Sequence, residues 1–212
     1  MGQLFPKEDL YNAEILRASV ESGTPYSVLK GFIALESAFD AKAYRYEAHI
    51  NDASYGLAQI LVRTARGVGF QGEPAELFDP YKSVLYGGKF IRQLSAKYPD
   101  VLDLIAAYNA GFPRKIRQTT QYIADLYGYP IKYREEPPVG WVYANEPYVR
   151  RVASYIAYYQ AREKNDVARA EEILGLIKKK DLTTASAMLK PLTSGPERAE
   201  VKFCPRCHSP LP

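Results

Sequence analysis

Glu36 lies in Ala34-Leu35-Glu36-Ser37-Ala38-Phe39-Asp40, one carboxylate at the end of an otherwise apolar stretch. A carboxyl group reached through Leu29, Phe32 and Ile33 loses solvation when it ionises, so its pKa rises and it can hold a proton near neutral pH. That is the chemistry of a general acid. Taken alone, a glutamate in the last turn of an amphipathic helix is more often a solvated surface residue. Asp40, Glu47 and Asp52 are the candidate second carboxylates. Asp40 reads as a cap or turn residue at the helix exit, while Glu47 and Asp52 fall in a polar loop where solvation is the default. Uncharged hydrogen-bonding groups follow at Ser54, Gln59, Asn109 and Tyr148. By themselves these read as a turn serine, a surface amide, a left-handed helix cap and a core tyrosine.

The elements that must position these groups are helical throughout most of the chain. The spacing predicts a first helix over about 8–22, with Leu10, Ala13, Leu16 and Val20 inward and Gly23 as its stop. Thr24-Pro25 reads as N-cap and first-turn proline of the helix carrying Glu36, in which Val28, Phe32, Leu35 and Phe39 recur at helical spacing. Residues 41–60, rich in Asp, Asn, Gly and Tyr, form a loop or short ribbon over a cleft. Asp79-Pro80 opens a helix with Val84, Gly87, Ile91, Leu94 and Tyr98 on one face. Pro99-Asp100 restarts the chain, Val101, Leu104, Ile105 and Tyr108 bury the next helix, and Asn109-Ala110-Gly111 ends it. Residues 112–144 admit two readings, a helix over Gln121–Leu126 and, from Pro130, Pro137, Pro138 and Gly140, an extended excursion; the segment is expected to wall the cleft. A long helix over about 146–163 carries Tyr148, Val152, Tyr155 and Tyr159, and Asn165-Asp166 and Asp181 start two more.

Four segments, in this order, resemble the soluble lytic murein transglycosylase family, which has a lysozyme-like fold. They are Glu36-Ser37, Ser54-Tyr55-Gly56-Leu57-Ala58-Gln59-Ile60, Ala106-Ala107-Tyr108-Asn109-Ala110-Gly111 and Tyr148-Val149, and the likeness covers about residues 8–163. Each motif is weak alone; order and spacing together are specific. The resemblance implies that Glu36 is acid and base in one. It protonates the leaving oxygen of the β-1,4 bond between N-acetylmuramic acid and N-acetylglucosamine, then takes the proton of the sugar's own C6 hydroxyl. A 1,6-anhydro-muramoyl end results and no water is consumed. Ser54, Gly56, Gln59, Tyr108, Asn109 and Tyr148 match positions that bind substrate or line the cleft. Ala58 replaces the family's usual Met, which is expected to reshape a subsite, and Asn145 stands where Thr is common. Goose-type lysozymes place an acid where this chain has Leu61, so transglycosylation is favoured over hydrolysis, with Asp52 as the residue that keeps the hydrolase alternative open. The other alternative is a lysozyme-fold glycan-binding or structural module with weak activity.

Composition sets the remaining bounds. With 212 residues, 47% of them hydrophobic and 25% charged, the chain can bury one good core plus an extension. The expected division is a mainly α lysozyme-like domain over 1–163, a helical extension over 164–190 and a flexible tail over 191–212. No apolar run is long enough to span a membrane and no signal peptide is visible, so phage delivery, as an endolysin or virion component, or a trimmed periplasmic form is expected. The formal charge of +4 suits an anionic polymer such as the cell wall, and no nucleic-acid motif is present. The expected partner is the peptidoglycan glycan strand, and the expected state is a monomer without cofactor. Among the 18 tyrosines, Tyr55, Tyr133 and Tyr143, with Trp141, are loop residues suited to stacking on sugars. Cys204-Pro205-Arg206-Cys207-His208 has the haem c attachment pattern, in a proline-rich tail with no apparent pocket. Half of a zinc ribbon, a flexible thiol pair and a local disulfide are the other readings, and no metal is assigned.

Overall fold

The structure, a computed structural model, describes residues 2–117 and 141–191. Tyr133 and the Cys204–His208 motif lie outside these residues, as does most of the 112–144 segment.

The architecture is mainly α, built around a buried helix α2 (Tyr26–Glu36) in which every residue from Ser27 to Ala34 is buried. Two helices clasp it. Helix α1 (Asn12–Ser22) ends at Gly23 in the left-handed region, as its sequence implies. Its inward face is Ile15, Ala18, Ser19 and Ser22, whereas Leu10 precedes the helix and is 62% exposed and Ala13 is exposed. The expected stripe was therefore rotated. Small residues face inward because α1 packs on α4 (Pro80–Lys97) so closely that a Cβ on Gly88 would lie 2.6 Å from Ser22 Oγ. Thr24 does not cap α2 either: Pro25 takes the N-cap position, and the buried Thr24 hydroxyl donates to the Gly88 carbonyl at 2.8 Å. A buried hydroxyl is drawn to an unambiguous acceptor across the helix contact.

On the other side, α2 crosses α6 (Glu146–Glu163) at Gly31, where a Cβ would come within 2.3 Å of Ile156 Cγ1. That contact is the most extensive between any two described helices. Beyond the crossing, the C-terminal end of α2 meets the N-terminal end of α6. Helix α5 (Val101–Ala110) also packs on α6; Asp100 caps its start by accepting from the Leu102 and Asp103 N–H groups, and Gly111 closes it. Residues 41–60 do form a ribbon: β1 (Tyr44–Glu47), β2 (Asp52–Tyr55) and β3 (Ile60–Leu61) pair antiparallel, with Arg45 opposite Ser54 and Ser54 opposite Leu61. A short helix α3 (Val62–Gly67) and a 3-10 turn (Pro74–Phe78) enclose a small second core of Ile60, Ala65, Phe70 and Leu77. Strands β4 (Lys115–Arg117) and β5 (Trp141–Tyr143) pair antiparallel before α6.

Helices α7 (Val167–Lys178) and α8 (Leu182–Ala187) begin at Asp166 and Asp181, each capping through its side chain as the sequence indicates. Both pack on α6, and Ala170, Ile173, Leu174 and Ala185 belong to the same core as α2. Glu8, fully buried, ties the N-terminal segment to this assembly by accepting from the Leu4 and Phe5 N–H groups and the Tyr159 hydroxyl, and by pairing with Arg162.

Candidate active site

The site forms where the C-terminus of α2, the N-terminus of α6, the end of α5 and the ribbon converge. Glu36 is the last residue of α2, and its Oε1 accepts a hydrogen bond of 2.5 Å from the Tyr148 hydroxyl on α6. Glu36 is half-buried as a residue, and the protein packed around its carboxyl strips water from the charged form. Burial pushes its pKa up to about 7, while the Tyr148 hydrogen bond and the Arg45 guanidinium pull the other way. Burial and the charge of Glu36 raise the phenols of Tyr148 and Tyr108 well above their usual range, so both stay protonated donors. Tyr108 donates to the Ala58 carbonyl at 2.8 Å and packs its ring against Phe32.

The ribbon's return loop is held by a chain of polar contacts. The Gln59 amide donates to the carbonyls of Ala43 (2.9 Å) and Gly56 (3.0 Å), and its Oε1 accepts from the Ser54 hydroxyl at 3.0 Å. Gly56 adopts φ +66°, and a Cβ there would lie 2.2 Å from the Leu77 carbonyl oxygen. Ser37 Oγ donates to the Leu57 carbonyl at 2.9 Å, tying the residue after Glu36 to this loop. Ser54, Gly56 and Gln59 are thus brought together as a brace whose polar groups are engaged within the protein.

Asn109, at the end of α5, is exposed, and its Oδ1 accepts from Asn145 Nδ2 at 3.0 Å. Two expectations need correcting. Ala58 is 4% exposed and directed at α4, where a Cβ on Gly87 would sit 2.6 Å from its own, so it is buried packing and does not line a subsite. Tyr143 is 8% exposed with its hydroxyl donated to Asp103, so its ring is not offered for stacking. Tyr55 packs edge-on against Tyr44 and Phe78.

Each of the candidate second carboxylates is engaged by its own neighbours. Asp52 accepts from the N–H groups of Ala53 (2.8 Å) and Arg63 (3.1 Å), Glu47 pairs with Arg45 at 2.9 Å, and Asp40 accepts from the Lys42 N–H at 2.9 Å. Among the described residues no cluster of three or more His, Cys, Asp or Glu side chains is placed to hold a metal, and no helix is long and apolar enough to cross a membrane.

Sequence reasoning missed two supports. Ser83, fully buried on α4, accepts from the Ala58 N–H at 3.1 Å and approaches the Tyr55 carbonyl at 3.3 Å, anchoring the loop from below. Its only signal was a small polar residue on an inward face. Arg45 acts on Glu36 from the ribbon, and its sole signal was alternation with Tyr44 and Tyr46 along β1.

Residues 14–125 match the Transglycosylase SLT domain family. A Haemophilus influenzae protein, provisionally named a soluble lytic murein transglycosylase, is 29% identical over 144 residues, covering 63% of this chain and 23% of that protein. The X-ray structure of lytic transglycosylase Slt from Pseudomonas aeruginosa, in a glutamate-to-glutamine mutant described as inactive, superposes with a TM-score of 0.52 at 20% identity. It covers 76% of this chain and 25% of the other, and at that identity it shows a shared fold. The chain therefore spans about a quarter of the length of each relative.

Proposed function

Because the chain belongs to the Transglycosylase SLT domain family, we propose that it is a peptidoglycan lytic transglycosylase in which Glu36 is the sole acid and base. The observation that carries this reading is the 2.5 Å contact of Tyr148 with Glu36 Oε1 in a site where the other candidate carboxylates are engaged elsewhere.

A carboxyl group with a pKa of about 7 is protonated in a useful fraction of molecules at neutral pH. Tyr148 occupies one carboxyl oxygen, which leaves the other to meet the glycan. Glu36 protonates the glycosidic oxygen as the bond from C1 of N-acetylmuramic acid to N-acetylglucosamine breaks. The carboxylate so formed gains the Tyr148 hydrogen bond in full strength, because an ionised acceptor holds a donor more tightly. It then removes the C6 hydroxyl proton while O6 attacks C1. The proton given to the leaving sugar is regained from O6, no water enters, and the product carries a 1,6-anhydro ring. A hydrolase would need a second carboxylate free to activate water.

Asn109, Tyr108 and Tyr148 are the residues assigned to the glycan side of the cleft. Ser54, Gly56 and Gln59 serve by shaping the loop. Residues 1–163 constitute the catalytic domain in this reading, with α7 and α8 buttressing α6. The substrate wall lies outside the cytoplasm, so the action belongs there, for a phage-delivered monomer or a periplasmic one.

Mass spectrometry of purified peptidoglycan digested by the protein tests the reading. Anhydro-muramoyl ends from both the unaltered protein and Asp52→Asn are expected. Reducing muramic acid ends, lost in Asp52→Asn, would establish a hydrolase instead, and uncut wall would leave a binding module.

A further inference from the structure

Asn145 is 8% exposed at the N-cap position of α6 without capping it, since its side chain makes no bond to the helix's own N–H groups. Its amide turns across to α5. Nδ2 lies 3.1 Å from the Ala106 carbonyl oxygen and 3.0 Å from Asn109 Oδ1. The orientation of both amides follows from the first contact. A backbone carbonyl only accepts, so the NH2 end of Asn145 must face Ala106. The second hydrogen of that NH2 then points at Asn109, which can answer only with its oxygen. The Asn109 NH2 group is thereby directed away from Asn145, and among the described residues it has no partner.

Both residues lie on the segments that bring Tyr148 and Tyr108 to Glu36. Asn145 precedes Tyr148, the partner of Glu36, by three positions on α6, and Asn109 follows Tyr108, whose ionisation feels the Glu36 charge. We propose that Asn145 is a positioning residue that locks the Asn109 amide with its hydrogens toward the cleft. Asn109 then meets the glycan as a donor, selecting an acceptor oxygen of the kind a sugar N-acetyl carbonyl supplies. This inference rests on the lytic transglycosylase reading. Its content is directional: a glutamine-like ambivalence at this position, offering either end of the amide, is removed by a chain of two bonds that starts at a backbone carbonyl.

The test is a double-mutant cycle of Asn109→Ala, Asn145→Ala and the pair, assayed on wall glycan and on the same glycan after chemical de-N-acetylation. Asn145→Ala should raise KM on acetylated glycan about three- to tenfold with a smaller change in kcat, and should reduce the preference for acetylated over deacetylated substrate. The pair should be no worse than Asn109→Ala, because Asn145 acts through Asn109. Asn145→Thr, which keeps a hydroxyl donor, should recover part of the loss. Independent, multiplying losses, or an unchanged substrate preference in Asn145→Ala, would overturn the proposal while leaving the cleavage reaction standing. If Asn145→Ala does not fold, Asn109→Asp decides: it keeps the shape of an exposed residue without its donors, and unchanged KM and preference there overturn the proposal as well. Absence of cleavage by the unaltered protein would remove the underlying reading instead.

Discussion

Tyr148 and Glu36 are 112 residues apart in the chain and 2.5 Å apart in space, joined by a phenol that donates to the carboxyl. Burial and hydrogen bonding oppose each other at this contact. The packed end of α2 disfavours the carboxylate, and Tyr148 favours it, leaving an acid poised near neutrality.

Removing the phenol should expose that balance. Tyr148→Phe deletes the group that stabilises the carboxylate, so the pKa of Glu36 rises further above about 7. The alkaline limb of the kcat/KM profile should move to higher pH while the maximum falls by about 10- to 100-fold. A pH–rate profile of the variant checks both; an unmoved limb would mean that Tyr148 does not tune the acid.

Glu36→Gln should abolish wall cleavage and leave the protein folded, since the amide keeps the shape without a transferable proton. It should also change how stability depends on pH. Glu36 ionises near 7 in the folded chain against an ordinary value of 4.5, so the folded state binds the proton more tightly between those values. Stability contributed by the protonated carboxyl is complete below 4.5 and is lost as pH rises through about 7. Relative to the unaltered protein, Glu36→Gln should therefore gain of the order of 1–3 kcal/mol above neutral pH compared with its position at acid pH. Urea unfolding at several pH values measures the difference, and parallel stability curves would contradict it.

Gly56→Ala should be costly despite adding one methyl group. The position has φ +66°, and the new Cβ would collide with the Leu77 carbonyl oxygen at 2.2 Å. Strain and displacement together should cost about 2–4 kcal/mol. The midpoint of urea unfolding should fall accordingly, and cleavage at permissive temperature should fall too, since Gly56 also accepts from Gln59.

Glu8→Gln tests the buried anchor far from the acid. It would leave Arg162 with only Asp9 as ionic partner, at 3.2 Å, and weaken two backbone-to-carboxylate bonds. A loss of about 2–4 kcal/mol is expected. Cleavage below the melting temperature should be preserved, because Glu8 bonds to Tyr159 and Arg162 at the end of α6 opposite Tyr148.

Local rules were legible in the sequence wherever the physics is local. Asp100, Asp166 and Asp181 announced helix starts, Gly23 and Gly111 announced stops, and apolar spacing marked the inward faces of α4 and α5. The proposed acid was legible too, as a carboxylate at the end of an apolar helix, and the four ordered motifs identified the family. What required the tertiary structure was every property set by a second element. The inward face of α1 depends on how closely Gly88 lets α4 approach, and the Thr24 hydroxyl follows the buried carbonyl it finds there instead of the helix end beside it. The burial of Ala58 is decided by α4, and the direction of the Asn109 amide by Asn145 and the Ala106 carbonyl. Periodicity and capping are written within one turn of chain, whereas close approach, desolvation and the sense of a hydrogen bond exist only once two elements are packed together.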